Sequence, residues 1–161
     1  MEAKIMWGAF IFLGGWLWAY LFVRQLLFNL QTAYPLIKKM KAADPDLIAV
    51  GAKRYTDISM IVCSFFLLLV GFLIVYFCKL YQIISFFAGA VLATVMLLGK
   101  LTPENRPMFD AFCGTYYRFV PDDELRTAMF NKKPGQIKQR LYNMGLARDM
   151  VPDFKKDDNE K

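Results

Sequence analysis

The chain has no histidine among its 161 residues. This absence excludes Ser-His-Asp triads, HExxH zinc sites and His-ligated haem, and it removes the commonest general base. Neither a Walker A nor a GxGxxG pattern occurs, so the usual nucleotide-binding loops are missing too. The 3 cysteines show no CxxC or other metal-ligand spacing. We therefore predict no catalytic residue, no cofactor and no metal site.

Charge is missing from three long apolar runs, which hold 19, 21 and 20 residues. A helix needs about 20 apolar residues, at 1.5 Å of rise each, to cross the hydrocarbon of a bilayer. The runs predict an all-α integral membrane protein with transmembrane helices at about 5–23, 58–78 and 81–99, within a transmembrane region over 1–100. No acid lies inside a run, which excludes the usual coupling carboxylate of a transporter.

The first run differs from a cleaved signal peptide. Its apolar stretch exceeds the usual ~7–15 residues, and bulky Trp18, Tyr20 and Phe22 stand where cleavage requires small residues. We expect it to remain as the first transmembrane helix.

Arg24 marks the end of the first run and not a charge within the membrane. It follows Val23, where the hydrocarbon should end, and its long side chain can reach the headgroups. Of the 20 Lys and Arg residues, 18 lie between the first two runs or after the third. Lys and Arg near helix ends are retained on the cytoplasmic side. We predict a plasma or inner membrane protein with its N-terminus outside and its C-terminus in the cytoplasm. The predicted membrane-boundary residues are Arg24, Lys53, Arg54, Lys79 and Lys100.

Lys79 alone interrupts the stretch from Ile58 to Gly99. One continuous helix of that length would be about twice as long as the hydrocarbon is thick. The chain is therefore expected to turn back near residues 78–82, which makes the second and third transmembrane helices a tight hairpin. No Gly or Pro marks that turn.

Residues 24–57 form a predicted basic cytoplasmic loop. The first helix should continue toward Ala33, because nothing breaks it before Pro35. The sequence "LIKKMKAA" predicts a short amphipathic helix. Asp44 and Pro45 resemble an N-cap and a first helical position, so we expect a helix that begins there and runs into the second transmembrane helix.

Residues 101–152 form a predicted interfacial or cytoplasmic helical tail, and Thr102 with Pro103 predicts the start of its first helix. Aromatic rings and arginines alternate in its opening segment. Directly after a membrane helix this mixture is typical of the headgroup layer, although it also suits the stacking of single-stranded nucleic acid bases. We favour the membrane and expect no nucleic acid. The predicted interfacial residues are Arg106, Phe109, Phe112, Tyr116, Tyr117 and Arg118.

Two further helices are predicted over 121–135 and 135–145. Acids open the first and lysines close it before Pro134, and Gly145 ends the second. Together they are too small to form a core of their own. They need a surface to pack on, which is the membrane, the basic loop or another protein. The end, 153–161, is predicted to be disordered.

Small residues recur four positions apart in each apolar run, and such seams allow membrane helices to approach closely. The predicted helix-packing residues are Gly15, Ala19, Ser59, Cys63, Gly89 and Ala93.

Three functions remain open. The first is a non-catalytic accessory or scaffold subunit of a larger membrane complex, which presents a basic surface to anionic lipids and contacts other membrane subunits or itself. The second is a homo-oligomeric pore, although no membrane helix carries a polar stripe. The third is an interfacial enzyme on lipid-like substrates, through Asp110, Cys113, Tyr116 and Arg118.

Overall fold

The computed structural model describes residues 2–146, 151, 152 and 154, with side chains from Met6 onward. All regular structure in these residues is helical, as predicted. The α-helices are α1 (Glu2–Phe28), α2 (Tyr34–Ala43), α3 (Val50–Phe77), α4 (Leu80–Leu97), α5 (Arg106–Tyr116), α6 (Asp123–Phe130) and α7 (Pro134–Asn143). Three helical stretches are long and apolar enough to cross a membrane, namely Met6–Ala43, Val50–Phe77 and Leu80–Leu97.

The helix continues to Ala33 as predicted, and Pro35 does not end it. A π-helix, Asn29–Ala33, joins α1 to α2 without interruption, and Pro35 lies in the first turn of α2. The amide of Tyr34 donates to the Asn29 carbonyl, five residues back. Proline in a regular helix lacks a donor and clashes with the carbonyl four residues before it, whereas the wider π turn changes that spacing.

Helix α3 begins at Val50, so the predicted start at Asp44 and Pro45 is wrong. The Asp44 carboxylate accepts a hydrogen bond from the Asp46 amide at 2.9 Å, which forms a turn two residues long instead of a helix cap. The residues that follow, Leu47 and Ile48, are buried. Leu47 and Ile48 are thus buried in an irregular segment, and the helix begins only after them.

The chain divides into two compact units. The span unit comprises Met1–Leu27 and Ile58–Lys100, and the loop–tail unit comprises Phe28–Asp57 and Leu101–Lys161.

In the span unit, the break between α3 and α4 falls at Cys78 and Lys79, within the predicted turn. The turn contains no Gly or Pro, and Gln82 instead stabilises the start of α4. Its side-chain oxygen accepts a hydrogen bond from the Lys79 amide at 2.9 Å, while its own amide donates to the Lys79 carbonyl at 2.8 Å. This reciprocal pair satisfies donors that a helix start leaves without partners.

In the loop–tail unit, four helices share one apolar core. Its lining residues are Leu36 and Met40 from α2, Phe109 and Phe112 from α5, Leu125 and Met129 from α6, and Ile137 and Leu141 from α7. Among the three surfaces that the sequence leaves open, the tail helices therefore pack on the basic loop. Helices α6 and α7 correspond to the two predicted helical segments, 121–135 and 135–145.

One detail of the tail differs from the sequence prediction, and another is not tested. Helix α5 starts at Arg106 with Pro107 in its first turn, so Thr102 and Pro103 lie before it in a turn. The end predicted to be disordered, 153–161, lies outside the described residues except for Phe154.

Candidate functional site

The closest approach in the span unit joins α1 and α4 through two glycines. A β-carbon added at Gly15 would overlap the Phe86 carbonyl oxygen, and one added at Gly89 would overlap the Phe12 carbonyl oxygen. Each glycine thus faces the carbonyl three residues before the other glycine. This reciprocal geometry brings Cα–H groups against carbonyl oxygens, a contact that recurs where helices pack closely.

Buried alanines extend this crossing. Ala19 clusters with Ala90 and Ala93, and all three are nearly inaccessible. At the other end Gly8 faces Ser85, since a β-carbon at Gly8 would lie 3.9 Å from the Ser85 hydroxyl. The contacts progress in the same order along both helices, so α1 and α4 run in the same direction. The structure brings together four predicted packing residues here.

The other two predicted packing residues, Ser59 and Cys63, lie on α3 and are only half-buried. They share a side-chain hydrogen bond within their own helix. The ring contact from α1 to α3 is a stack of Phe22 on Phe66, with centroids 5.8 Å apart. The seam on α3 therefore does not contribute to the α1–α4 crossing.

Helix α3 is the least covered element of the span unit. Not one side chain from 58 to 77 is buried, and Leu68 and Phe72 expose 75% and 64% of their surface. By contrast, α4 buries residues along the face that meets α1. An apolar surface of this extent requires either lipid or another protein to cover it.

The predicted boundary residues Arg24, Lys53, Arg54, Lys79 and Lys100 are all exposed. The Arg24 guanidinium lies over the Tyr20 ring, 5.6 Å from its centroid, one helical turn back. Cation–π contact of this kind favours arginine, which offers a planar face to the ring. Placement of these residues at a membrane boundary stays a prediction.

The predicted interfacial aromatic set separates into two groups. Phe109, Phe112 and Tyr116 are buried in the loop–tail core, 3%, 2% and 0% exposed, and their predicted role at the membrane interface stays a prediction. The apolar faces of α2, α6 and α7 cover them, a packing that no local pattern in the sequence predicts. Arg106 and Tyr117 are partly exposed, and Arg118 is exposed.

Tyr116 anchors the N-terminal part of α3 to α5. Its hydroxyl lies 2.7 Å from that of Thr56, which itself donates to the Ala52 carbonyl at 2.9 Å. Thr56 has only one hydroxyl proton, so Tyr116 is the donor between them. Burial raises the pKa of Tyr116 above its ordinary value.

The residues considered for an enzyme lack the environment of a nucleophile. Cys113 is fully buried, and this desolvation, together with the neighbouring Asp110, raises the pKa of its thiol to about 12. A thiolate is the reactive form of cysteine, so Cys113 is inert near neutral pH. Asp110 pairs with Arg106 at 2.9 Å.

The loop–tail unit also holds a set of buried polar residues that were not predicted from the sequence. Asn29, Thr32 and Thr56 are completely buried. The Thr32 hydroxyl donates to the Leu101 carbonyl at 2.6 Å, which ties the π-helix to the start of the tail. In the sequence, these polar residues could have been found by their position among apolar residues on the same helix face.

Asp122 and Arg140 join the start of α6 to the last turn of α7. The Asp122 carboxylate caps α6 by accepting the Leu125 amide at 2.7 Å, and it accepts two hydrogen bonds from Arg140 at 3.0 and 2.6 Å. These bonds to Arg140 lower the pKa of Asp122. A two-point bond to a guanidinium fixes geometry as well as charge.

Among the described residues, no three His, Cys, Asp or Glu side chains come together in a way that could hold a metal ion. Comparisons with models of protein families, with curated proteins and with solved structures find no match for this chain.

Proposed function

We propose that this chain is a small multi-pass membrane protein that acts as a non-catalytic accessory or scaffold subunit of a larger membrane complex. The observation that carries the proposal is the uncovered surface of α3. Helices α1 and α4 close on each other through Gly15 and Gly89, while α3 buries no side chain between 58 and 77. A membrane helix with this much surface left over is available to pack against a partner.

The proposed topology places the N-terminus outside and the loop–tail unit in the cytoplasm, with α3 and α4 as a hairpin that turns outside. Eighteen of 20 Lys and Arg residues then lie on the cytoplasmic side. The shared direction of α1 and α4 supports three crossings, because the first and third crossings of such a chain must run the same way, and the charge distribution alone selects the orientation.

The topology is tested by cysteine labelling with a membrane-impermeant reagent. Both cysteine variants are made in a chain with Cys63→Ser and Cys78→Ser, because Cys78 itself lies in the proposed outer turn. Lys79→Cys, at that turn, should be labelled in intact cells. Asn159→Cys should be labelled only after the cytoplasmic face is opened. The reverse pattern would exclude this orientation.

The partner is tested by photo-crosslinking in the native membrane. A photoreactive residue at Leu68 or Phe72 of α3 should form an adduct with a different protein, and that protein should copurify in mild detergent. Leu13 of α1 is the matched control, because it is 61% exposed yet lies on another helix. Adducts only between copies of this chain would favour the homo-oligomeric pore. Lipid adducts of equal yield from all three positions would exclude a partner on α3.

A further inference from the structure

Just after the C-terminal end of α6, a lysine adopts a conformation that usually requires glycine. Lys132 has φ of 54°, and within the described ranges it is the only residue other than glycine with a positive φ. Its amide donates to the Met129 carbonyl at 3.0 Å, and the Lys133 amide donates to the Ala128 carbonyl at 3.1 Å. These two bonds form a Schellman motif, in which glycine is the usual residue because a β-carbon is strained there.

An exposed aromatic ring lies beside this lysine. Phe130 is 60% exposed, and its ring contacts that of Tyr117 edge to face, with centroids 5.1 Å apart. Lys132 and Lys133 follow after Asn131, and both are exposed. We call these four residues the Phe130 surface.

Neighbouring groups fix the shape of the Phe130 surface. The Lys132 side chain lies over Gly114, where an added β-carbon would be 3.5 Å from the Lys132 Cε atom. Arg106 donates to the Lys132 carbonyl at 3.0 Å and also pairs with Asp110 at 2.9 Å. The negative charge of Asp110 is thus balanced by Arg106. Asp110 therefore does not neutralise the positive charges of Lys132 and Lys133.

We propose that the Phe130 surface docks on the anionic leaflet of the membrane that the chain itself spans. A phenyl ring that enters the acyl boundary, flanked by lysines that meet lipid phosphates, is the chemistry of interfacial anchoring. This inference rests on the proposed membrane insertion.

Chain connectivity favours lipid over an acidic protein as the occupant. The loop–tail unit continues directly into apolar helices at residues 27–28, 57–58 and 100–101. Three covalent connections keep the unit close to a bilayer, which raises the effective concentration of lipid at its surface. An acidic protein would supply the charge but would have to be captured from solution.

Lys132 itself supports a function at this position. Glycine would relieve the strain of a positive φ, so a lysine here does not serve the stability of the helix end. Besides its contact over Gly114, its side chain brings a positive charge to the Phe130 surface. Glycine at residue 132 would favour stability, whereas lysine favours docking. Lys132→Gly can therefore separate the two effects.

The test uses the full chain, reconstituted in phosphatidylcholine vesicles with or without phosphatidylserine. A nitroxide is attached to Asn131→Cys in a chain with Cys63→Ser and Cys78→Ser, while buried Cys113 is left in place. Collisions with oxygen report the acyl layer, and collisions with a water-soluble nickel complex report the aqueous phase. With phosphatidylserine, we expect more oxygen and fewer nickel collisions, and raising the salt concentration should reverse the change.

Lys132→Gly should weaken the docking equilibrium about fivefold, which corresponds to roughly 1 kcal/mol for one lysine at an anionic surface. Its thermal stability should equal or exceed that of the native chain. Phe130→Ser should weaken docking as well. The charge-matched control is Lys161→Gln, which should leave the label unchanged.

Results of two kinds would overturn the inference. The first is a label that is equally aqueous in both vesicles, or one that Lys132→Gly does not alter. The second is immobilisation of the label in native membranes only, which would assign the surface to a protein. Resistance of the chain to extraction from the vesicles by alkaline carbonate reports insertion separately. Insertion with an aqueous label would overturn docking alone, whereas an extractable chain would overturn the proposed function.

Discussion

The hydroxyl groups of Thr56 and Tyr116 lie 2.7 Å apart, and both side chains are fully buried. Thr56 belongs to α3 and Tyr116 ends α5, so this hydrogen bond joins residues 60 positions apart in the chain. Because Thr56 also donates to the Ala52 carbonyl, the two hydroxyls form a short chain of hydrogen bonds within a low-dielectric core.

Tyr116→Phe should lower the free energy of unfolding by about 1 kcal/mol, because it removes the donor to Thr56 while the ring stack on Phe112 remains. Thermal unfolding of the purified chain in detergent measures the change. Tyr117→Phe is the matched control, since Tyr117 is partly exposed and should change stability by less than about 0.5 kcal/mol. Equal effects of the two substitutions would mean that the buried bond adds nothing.

Cys113 should resist alkylation at pH 8 in the folded chain, because a thiol with a pKa of about 12 is almost entirely protonated there. Denaturant should make it reactive, and mass spectrometry of the tryptic peptide measures both states. Its folded pKa exceeds the ordinary value of 9.0, so its contribution to stability is complete below pH 9 and is lost as the pH rises toward 12. Rapid alkylation of the folded chain would contradict the burial of Cys113.

The glycine crossing predicts a position-specific effect in the span unit. Gly89→Ala should lower stability by about 1–3 kcal/mol, because the new β-carbon overlaps the Phe12 carbonyl and the helices must separate. Gly14→Ala is the control, since nothing lies within 4 Å of a β-carbon there. Thermal unfolding in detergent compares the two. A Gly89 variant as stable as the Gly14 variant would contradict the close approach.

Sequence patterns identified residues of this crossing but not which helices pair. Spacing alone identified Gly15 and Gly89 as packing residues, and it identified Ser59 and Cys63 equally, because all four belong to seams of small residues. Which seams meet depends on contacts between elements far apart in the chain. The same limit explains Phe109 and Phe112, whose rings suit either a headgroup layer or a protein core. The helix-start errors at Asp44 and Thr102 have a local cause, since Asx turns and caps use the same residue types.

Asp122 should make the stability of the loop–tail unit depend on acid pH. Its folded pKa is lowered, so its contribution is present above the unfolded pKa of about 3.9 and is lost as the pH falls through the folded value. Asp122→Asn keeps a good helix cap but loses the charge that Arg140 binds. We expect this variant to be less stable at pH 7 and to lose that part of the acid dependence. Thermal unfolding across pH 2–7 measures both.

The Asp122 prediction has its own control in Asp123, which is 88% exposed at the side chain although it contacts Arg126. Asp123→Asn should leave the acid profile nearly unchanged, because an exposed pair contributes little. If Asp122→Asn matched the native chain at every pH, the bond to Arg140 would have no role in stability.

The two last helices should not fold when they are separated from the rest of the chain. A peptide of residues 121–145 carries Leu125, Met129, Ile137 and Leu141, but their apolar partners on α2 and α5 are missing from it. Short helices are marginal in water without such packing, so circular dichroism should show a largely unfolded peptide. In the full chain, the same helices should be protected from hydrogen exchange.

Truncation after Val120 tests the same contacts from the other side. It uncovers Leu36, Met40, Phe109 and Phe112, so hydrogen exchange in α2 and α5 should rise while the span unit stays protected. Because burial of a large apolar side chain contributes about 1.5–3 kcal/mol, loss of this shared core should exceed the effect of any single substitution above. A peptide that folds cooperatively as a monomer, together with a truncated chain whose α2 and α5 exchange as slowly as before, would mean that α6 and α7 form a core of their own.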